Sequence, residues 1–144
     1  MGRESASDET LPAGWSAVAI ASASDIVTAR QVGRELAAQI GFTGSDLTVI
    51  ATAISELARN IVAYAQQGTI LLGRAQRGSR RGIQIVARDE GPGIRDVGKA
   101  LQDGYSTGKG LGLGLPGVRR LVDDFEVVSV VGRGTTVTAR KWIL

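Results

Sequence analysis

Nine glycines crowd positions 91 to 117, at 91, 93, 98, 104, 108, 110, 112, 114 and 117. The whole chain holds 20 in 144 residues, about twice the ordinary ~7%, so the excess is local. A backbone without Cβ atoms takes positive φ freely and lets a ligand come close, and where such a loop opens onto a helix the unpaired N–H groups favour an anion. Known glycine patterns constrain the loop further. A phosphate loop of the form GxxxxGK[ST] fails, because three residues separate Gly104 from Gly108 and Gly110 follows Lys109. A dinucleotide fingerprint is literally present at Gly112, Gly114 and Gly117, yet no strand feeds it and Asp123 and Asp124 come too early for the acidic residue expected ~20 positions on.

The chain has no His and no Cys. Ser-His-Asp hydrolysis, HExxH zinc sites, phosphohistidine relays, disulfides and cysteine-ligated zinc are all excluded. The HRD and DFG segments of eukaryotic-type protein kinases are absent too. Lys plus Arg exceed Asp plus Glu by three, 17 against 14, and the basic cluster Arg74, Arg77, Arg80 and Arg81 contains no aromatic residue, so no nucleic-acid partner is expected and the cluster reads as a solvated hairpin turn. No signal peptide opens the chain, and no stretch reads as the ~18 apolar residues of a membrane span. Met1-Gly2 begins like a myristoylation signal but has Ala6 where Ser or Thr is needed. A cytoplasmic protein without a membrane partner is expected.

Residues 1–14 read as a flexible tail, and 15–144 as one domain. A strand is expected over Trp15–Ala21, then a helix capped by Ser24 and running to Gly41. A second helix is expected from Ser45 to about Ala65, with Leu47, Ile50, Ile54, Leu57, Ala58, Ile61 and Ala65 on one stripe. Its other side carries Val49, Ala53, Glu56, Asn60 and Ala63, so both faces look occupied. Strands are expected over Thr69–Ala75 and Ile83–Ala87, a short helix over Asp96–Gln102, a helix over Pro116–Asp123, and a terminal hairpin of Phe125–Val131 and Thr135–Trp142. Strands arriving in hairpin pairs predict an α+β, two-layer architecture, with helices on one face of a mixed, mostly antiparallel sheet.

Two polar constellations accompany the glycines. Asp89-x-Gly91-x-Gly93 stands at a strand end, where a carboxylate can accept from an exocyclic amine and a flat ring can lie on bare backbone. Glu56 and Asn60, four apart on one helix face, pair a carboxylate that can orient or deprotonate a hydroxyl with an amide oxygen able to ligate Mg²⁺ carried by phosphates.

Glu56-x-x-x-Asn60, Asp89-x-Gly91-x-Gly93, Gly108-x-Gly110-x-Gly112-x-Gly114 and Gly134-Thr135 stand in the order of the N, G1, G2 and closing Gly-Thr boxes of the GHKL (gyrase and histidine-kinase type) ATPases, which the chain resembles over about residues 15 to 144. ISELARNI, DEGPGI, DGYSTGKGLGLGLPGVRRLVDDF and the closing Lys-Trp look most like the RsbT-type serine/threonine kinases of the bacterial stressosome, relatives of anti-sigma factors. The resemblance implies a Bergerat-type ATP-binding fold with ATP and Mg²⁺ as cofactors. It implies Glu56 as general base or hydroxyl-orienting residue and Asn60 as the Mg²⁺ ligand. Asp89 would receive the adenine amino group, helped by Thr135 through water, and Gly91 and Gly93 would border the purine. The backbone of Gly110, Gly112 and Gly114 would cradle phosphates, with Lys109 adding charge near the γ-phosphate. The short interval from Ile94 to Thr107 implies a small ATP lid. Ser55 stands where many histidine kinases carry the histidine before the N-box Glu, in keeping with transfer to a hydroxyl. The implied partners are STAS-domain substrates and a PP2C-type phosphatase, in a stress-response partner switch. The alternative is an anti-sigma factor that sequesters an RNA polymerase sigma subunit.

Overall fold

The computed structural model describes residues 11–102 and 114–144. Of the expected tail, residues 1–10 lie outside that range, and the chain enters through a turn in which the Trp15 N–H donates to Pro12 O at 3.1 Å. Strand β1 (Ser16–Ile20) leads into helix α1 (Ala23–Ile40). The helix cap is Ser22, in extended conformation, rather than Ser24. The reason is Asp25 in the first turn, whose Oδ2 reaches back to accept from the Ala21 N–H at 2.8 Å and the Ser22 hydroxyl at 3.2 Å, placing negative charge at the positive end of the helix dipole. Gly41, at φ +126°, ends α1 by donating to Ala37 O and Ala38 O.

Helix α2 (Ser45–Tyr64) follows, then the hairpin β2 (Gly68–Arg77) and β3 (Arg80–Asp89). Both strands outrun their expected bounds because the turn has only two residues, Gly78 and Ser79. Gly78 takes φ +63° and the arginines continue the ladder to the pair Arg77 and Arg80. After the single turn of α3 (Val97–Ala100), whose Lys99 N–H is accepted by Asp96 Oδ1 at 3.0 Å, come α4 (Gly114–Leu121), β4 (Asp124–Val130) and β5 (Gly134–Trp142).

The strand order is β1-β2-β3-β5-β4, and every pairing is antiparallel. The expectation of a mixed sheet is corrected to this extent. Two helices, not one, lie between β1 and β2, so the chain reverses once more and re-enters antiparallel. β5 inserts between β3 and β4, which keeps those two like-directed strands apart.

One face of the sheet is dry. Ile70 and Leu72 of β2, Ile83, Ile85 and Ala87 of β3, and Val137 and Ala139 of β5 alternate toward the helices and join Ile50, Ile54, Leu57, Ala58 and Ile61 of α2 in one core. α2 packs against α1 on one side and α4 on the other. It does have the length and apolarity of a membrane span, contrary to the reading above, but it spends that apolar surface on this core.

The opposite face carries no helix among the described residues. There the Trp15 ring lies over Gly73 and the Trp142 ring over Gly82, where any Cβ would collide with them. Arg77 and Arg80 stack on Trp142 at 4.8 and 5.5 Å from the ring centroid, and Arg77 pairs with Asp124 at 3.2 Å. Arg81 donates to Ile40 O at 2.8 Å, tying the hairpin to the end of α1. Arg77, Arg80 and Arg81 are therefore structural: the aromatic missing from their own stretch of sequence arrives from β5.

Candidate functional site

β3 delivers Asp89 at its last position, opposite Thr135 near the start of β5. Cross-strand partners project to the same face, so carboxylate and hydroxyl stand side by side. Asp89 Oδ1 accepts from the Gly91 N–H at 2.8 Å. Its Oδ2 has no hydrogen-bond partner among the described residues, so one acceptor edge remains for a ligand.

The glycines around Asp89 are demanded by protein contacts. A Cβ on Gly91 would lie 2.6 Å from Ala65 Cβ, just past α2. Gly93 takes φ +80° and a Cβ there would lie 2.5 Å from Val130 O, while one on Gly134, at φ +132°, would lie 2.1 Å from Asp89 O. The expected bare backbone at Gly91 and Gly93 is present, but it is packed between α2 and the β4–β5 loop. Gly132 N–H donates to Pro92 O at 2.8 Å, locking that loop onto the turn.

The second constellation sits on α2. Glu56 is buried at 8% exposure and its Oε2 accepts from Arg59 one turn on, a partner the spacing analysis missed although Arg59 stands three residues away on a neighbouring row of the helix. Asn60 is half-buried, and its carboxamide has no hydrogen-bond partner among the described residues. Ala53 is fully buried and Glu56 nearly so, which bears out the two-faced reading of this helix. Ser55 is buried and its hydroxyl donates to Ala51 O at 2.9 Å. The contact of Ala65 with Gly91 brings the C-terminal end of α2 against the Asp89 turn, so both polar pairs belong to one region.

Of the remaining expected residues, Gly114 opens α4 at φ +70°, where first-turn N–H groups lack intrahelical partners. Gly117 is buried within α4. Lys109, Gly110 and Gly112, with the expected lid and most of the phosphate cradle, lie outside the described residues. Sequence reasoning also missed Ser129. Its hydroxyl contacts Thr135 Oγ1 at 2.8 Å, accepts from the Ile94 N–H at 2.7 Å and donates to Gly134 O at 3.2 Å. A signal existed: β4 alternates Phe125 and Val127 toward the core, and Ser129 occupies the next inward position.

Residues 20–141 match the model of the histidine kinase-like ATPase domain. The chain belongs to that family. Among curated relatives, the serine/threonine-protein kinase RsbT of Bacillus subtilis (strain 168) is 50% identical over 128 residues, covering 89% of this chain and 96% of its own. The anti-sigma F factor of Thermoanaerobacter sp. (strain X514) is 32% identical over 121 residues, covering 80% of this chain and 83% of its own. Among solved structures, a chain of the SiaB–SiaC complex from Pseudomonas aeruginosa superposes with a TM-score of 0.54 at 17% identity, covering 99% of this chain and 96% of that one, which shows a shared fold. Asp89, the Gly91–Gly93 turn and Thr135 thus sit in a histidine kinase-like ATPase fold, and ATP is the ligand class that family takes.

Proposed function

We propose that this chain is an ATP-dependent serine/threonine protein kinase of the cytoplasm, whose substrate is a Ser or Thr on a STAS-domain partner, and which, once released by that phosphorylation, activates a PP2C-type phosphatase. The observation that carries the reading is 50% identity, over nearly the full length of both chains, to a relative named as a serine/threonine-protein kinase.

The residues present fit the two groups such a kinase needs. Asp89 Oδ2 offers a free acceptor to an exocyclic amine, with Thr135 beside it. Asn60 offers a half-buried, unpartnered amide oxygen of the hard type Mg²⁺ prefers. Three or more carboxylates do not cluster anywhere among the described residues, so Asn60 would be the protein's own ligand to an ion that otherwise keeps phosphate and water.

ATP, when bound, supplies the γ-phosphoryl group as electrophile. The protein's part is then positioning and charge, since phosphoryl transfer asks for little covalent chemistry from the enzyme. Asp89 and Thr135 fix the base. Glu56 holds the incoming hydroxyl and takes its proton on a carboxylate oxygen. Arg59 holds that carboxylate through its Oε2 and sets its rotamer. Lys109 and the backbone of Gly110, Gly112 and Gly114 are assigned to the phosphates.

Incubation of the protein with γ-labelled ATP and a purified STAS partner tests this. Label should move to a Ser or Thr of the partner, and Glu56→Ala should reduce transfer by at least a hundredfold while ATP binding persists. Undiminished transfer by that variant removes Glu56 from the mechanism. Similarity to anti-sigma F factors favours one second reading, sequestration of a sigma subunit. Affinity capture that recovers a sigma subunit, with no STAS protein or phosphatase, would favour it.

A further inference from the structure

We infer that Ser129 is a positioning residue for purine recognition, setting which way the Thr135 hydroxyl points its proton and holding the Asp89–Ile94 turn in register with it. The inference rests on the nucleotide reading of the Asp89 site and adds a residue outside the motifs that carry that reading.

A serine hydroxyl can make three hydrogen bonds, one donated and two accepted. Ser129 Oγ has three neighbours. The Ile94 N–H can only donate to it, at 2.7 Å. Gly134 O can only accept from it, at 3.2 Å. Thr135 Oγ1, at 2.8 Å, can do either. If the serine proton goes to Gly134 O, the third contact is a hydrogen bond only when Thr135 donates. Ser129 is then saturated, and Thr135 turns lone pairs alone toward the site. Asp89, its cross-strand neighbour, is also an acceptor, so in this arrangement the base-binding edge offers acceptors only.

Rotation of the serine proton from Gly134 O to Thr135 Oγ1 reverses this. Thr135 then accepts from Ser129 and its own proton is free for the ligand, directly or through water. An adenine edge presents one donor, its amino group, and one acceptor, its ring N1. Asp89 matches the donor; Thr135 can serve the acceptor only in the second arrangement, with Ser129 supplying the compensating proton. A guanine edge has the opposite order, an acceptor oxygen and a ring N–H, and the carboxylate of Asp89 opposes its oxygen.

Ser129 has a second hold on the same pocket. Ile94 ends the turn whose Gly93 rests on Val130 and whose Pro92 accepts from Gly132. The β4–β5 hairpin thus grips the turn at three successive residues, and the Ser129 hydroxyl is the one side-chain bond among those grips. Loss of that hydroxyl would loosen the turn and remove the donor that turns the Thr135 proton toward the ligand.

The test is nucleotide binding by titration calorimetry with ATP, GTP and inorganic tripolyphosphate on wild type, Ser129→Ala, Ser129→Thr, Thr135→Val and the double variant Ser129→Ala/Thr135→Val, each checked for a cooperative melt. Ser129→Ala should weaken ATP by about tenfold, the scale of one or two lost hydrogen bonds, and narrow the preference for ATP over GTP. Its tripolyphosphate affinity should stay at the wild-type level. Ser129→Thr, which keeps a hydroxyl, should restore ATP binding. In the Thr135→Val background the cost of Ser129→Ala should shrink, as expected for coupled groups.

Equal weakening of ATP and tripolyphosphate, or strictly additive losses in the double variant, would overturn the inference and leave Ser129 a packing residue. So would wild-type ATP affinity in Ser129→Ala. A wild-type protein that binds tripolyphosphate and ATP equally, with no preference between ATP and GTP, would instead overturn the purine assignment of Asp89 itself.

Discussion

Asp89 and Thr135 stand out in the sequence because each has a fixed glycine neighbour, two residues on or one residue before, and the structure sets them opposite each other on β3 and β5. Ser129 does not, because its three partners come from Ile94, 35 residues earlier, and from Gly134 and Thr135 across a loop; nothing adjacent to it in sequence marks the meeting. Glu56 was legible, but its pairing with Arg59 was overlooked in favour of the i,i+4 relation to Asn60. The glycines of the Asp89 turn were found for a partly incomplete reason. Openness to a flat ligand predicts them, and so does collision with Ala65 and Val130. Gly134 shows how strict the second reason is: φ +132° and a Cβ position 2.1 Å from Asp89 O leave no room for a side chain. Gly134→Ala should therefore lower stability by about 2 kcal/mol or more, combining backbone strain with overpacking. The measurement is the urea midpoint at unchanged m-value, and a midpoint within error of wild type would show that β5 can shift away from the turn.

Elements were read more reliably than their ends. Helix periodicity found α1 and α2 because tertiary burial and local pattern agree, and α2 was correctly seen to be occupied on two faces. End positions depended on single side chains. At the entry to α1 Ser22 and Ser24 compete for the cap, and the carboxylate of Asp25 decides between them by reaching Ala21 N–H and Ser22 Oγ. Asp25→Ala should cost about 1 kcal/mol, the usual scale for a lost cap, with the loss visible as faster amide exchange at Ala21 and in the first turn of α1; unchanged exchange there would mean that Ser22 alone sets the boundary. The β2–β3 hairpin was read short because arginine and glycine looked like loop. A two-residue turn needs only one residue at positive φ, Gly78, and Trp142 gives Arg77 and Arg80 a surface on which to remain extended.

At the scale of the molecule, hairpin pairing predicted helices over one face of the sheet, and that is the architecture. The parallel component did not materialise because the topology separates β3 from β4 by the returning β5, a non-local event that no local pattern encodes. In the proposed function nucleotide binding belongs to this whole assembly, since Asp89, Thr135 and the end of α2 converge only when sheet and helices are docked. ATP with Mg²⁺ at a hundred times its dissociation constant should then stabilise the fold by about 2.7 kcal/mol and raise the melting temperature by several degrees. Asp89→Asn replaces one acceptor oxygen by a donor amide and should abolish most of that rise without lowering the melting temperature of the free protein by a similar amount. A full ligand-induced rise in the variant would place the base elsewhere.

Both tryptophans of the chain, Trp15 and Trp142, lie on the bare side of the sheet, one over Gly73 and the other over Gly82, while Asp89 and Thr135 face the helices. The molecule therefore carries two natural light emitters on the side away from Asp89 and Thr135. Their emission is suited to report a protein settling on that exposed face, or the fraying of the arginine hairpin from Trp142, with little direct interference from ATP. A single sample can in this way be watched for partner engagement by intrinsic fluorescence while nucleotide occupancy is followed by another signal.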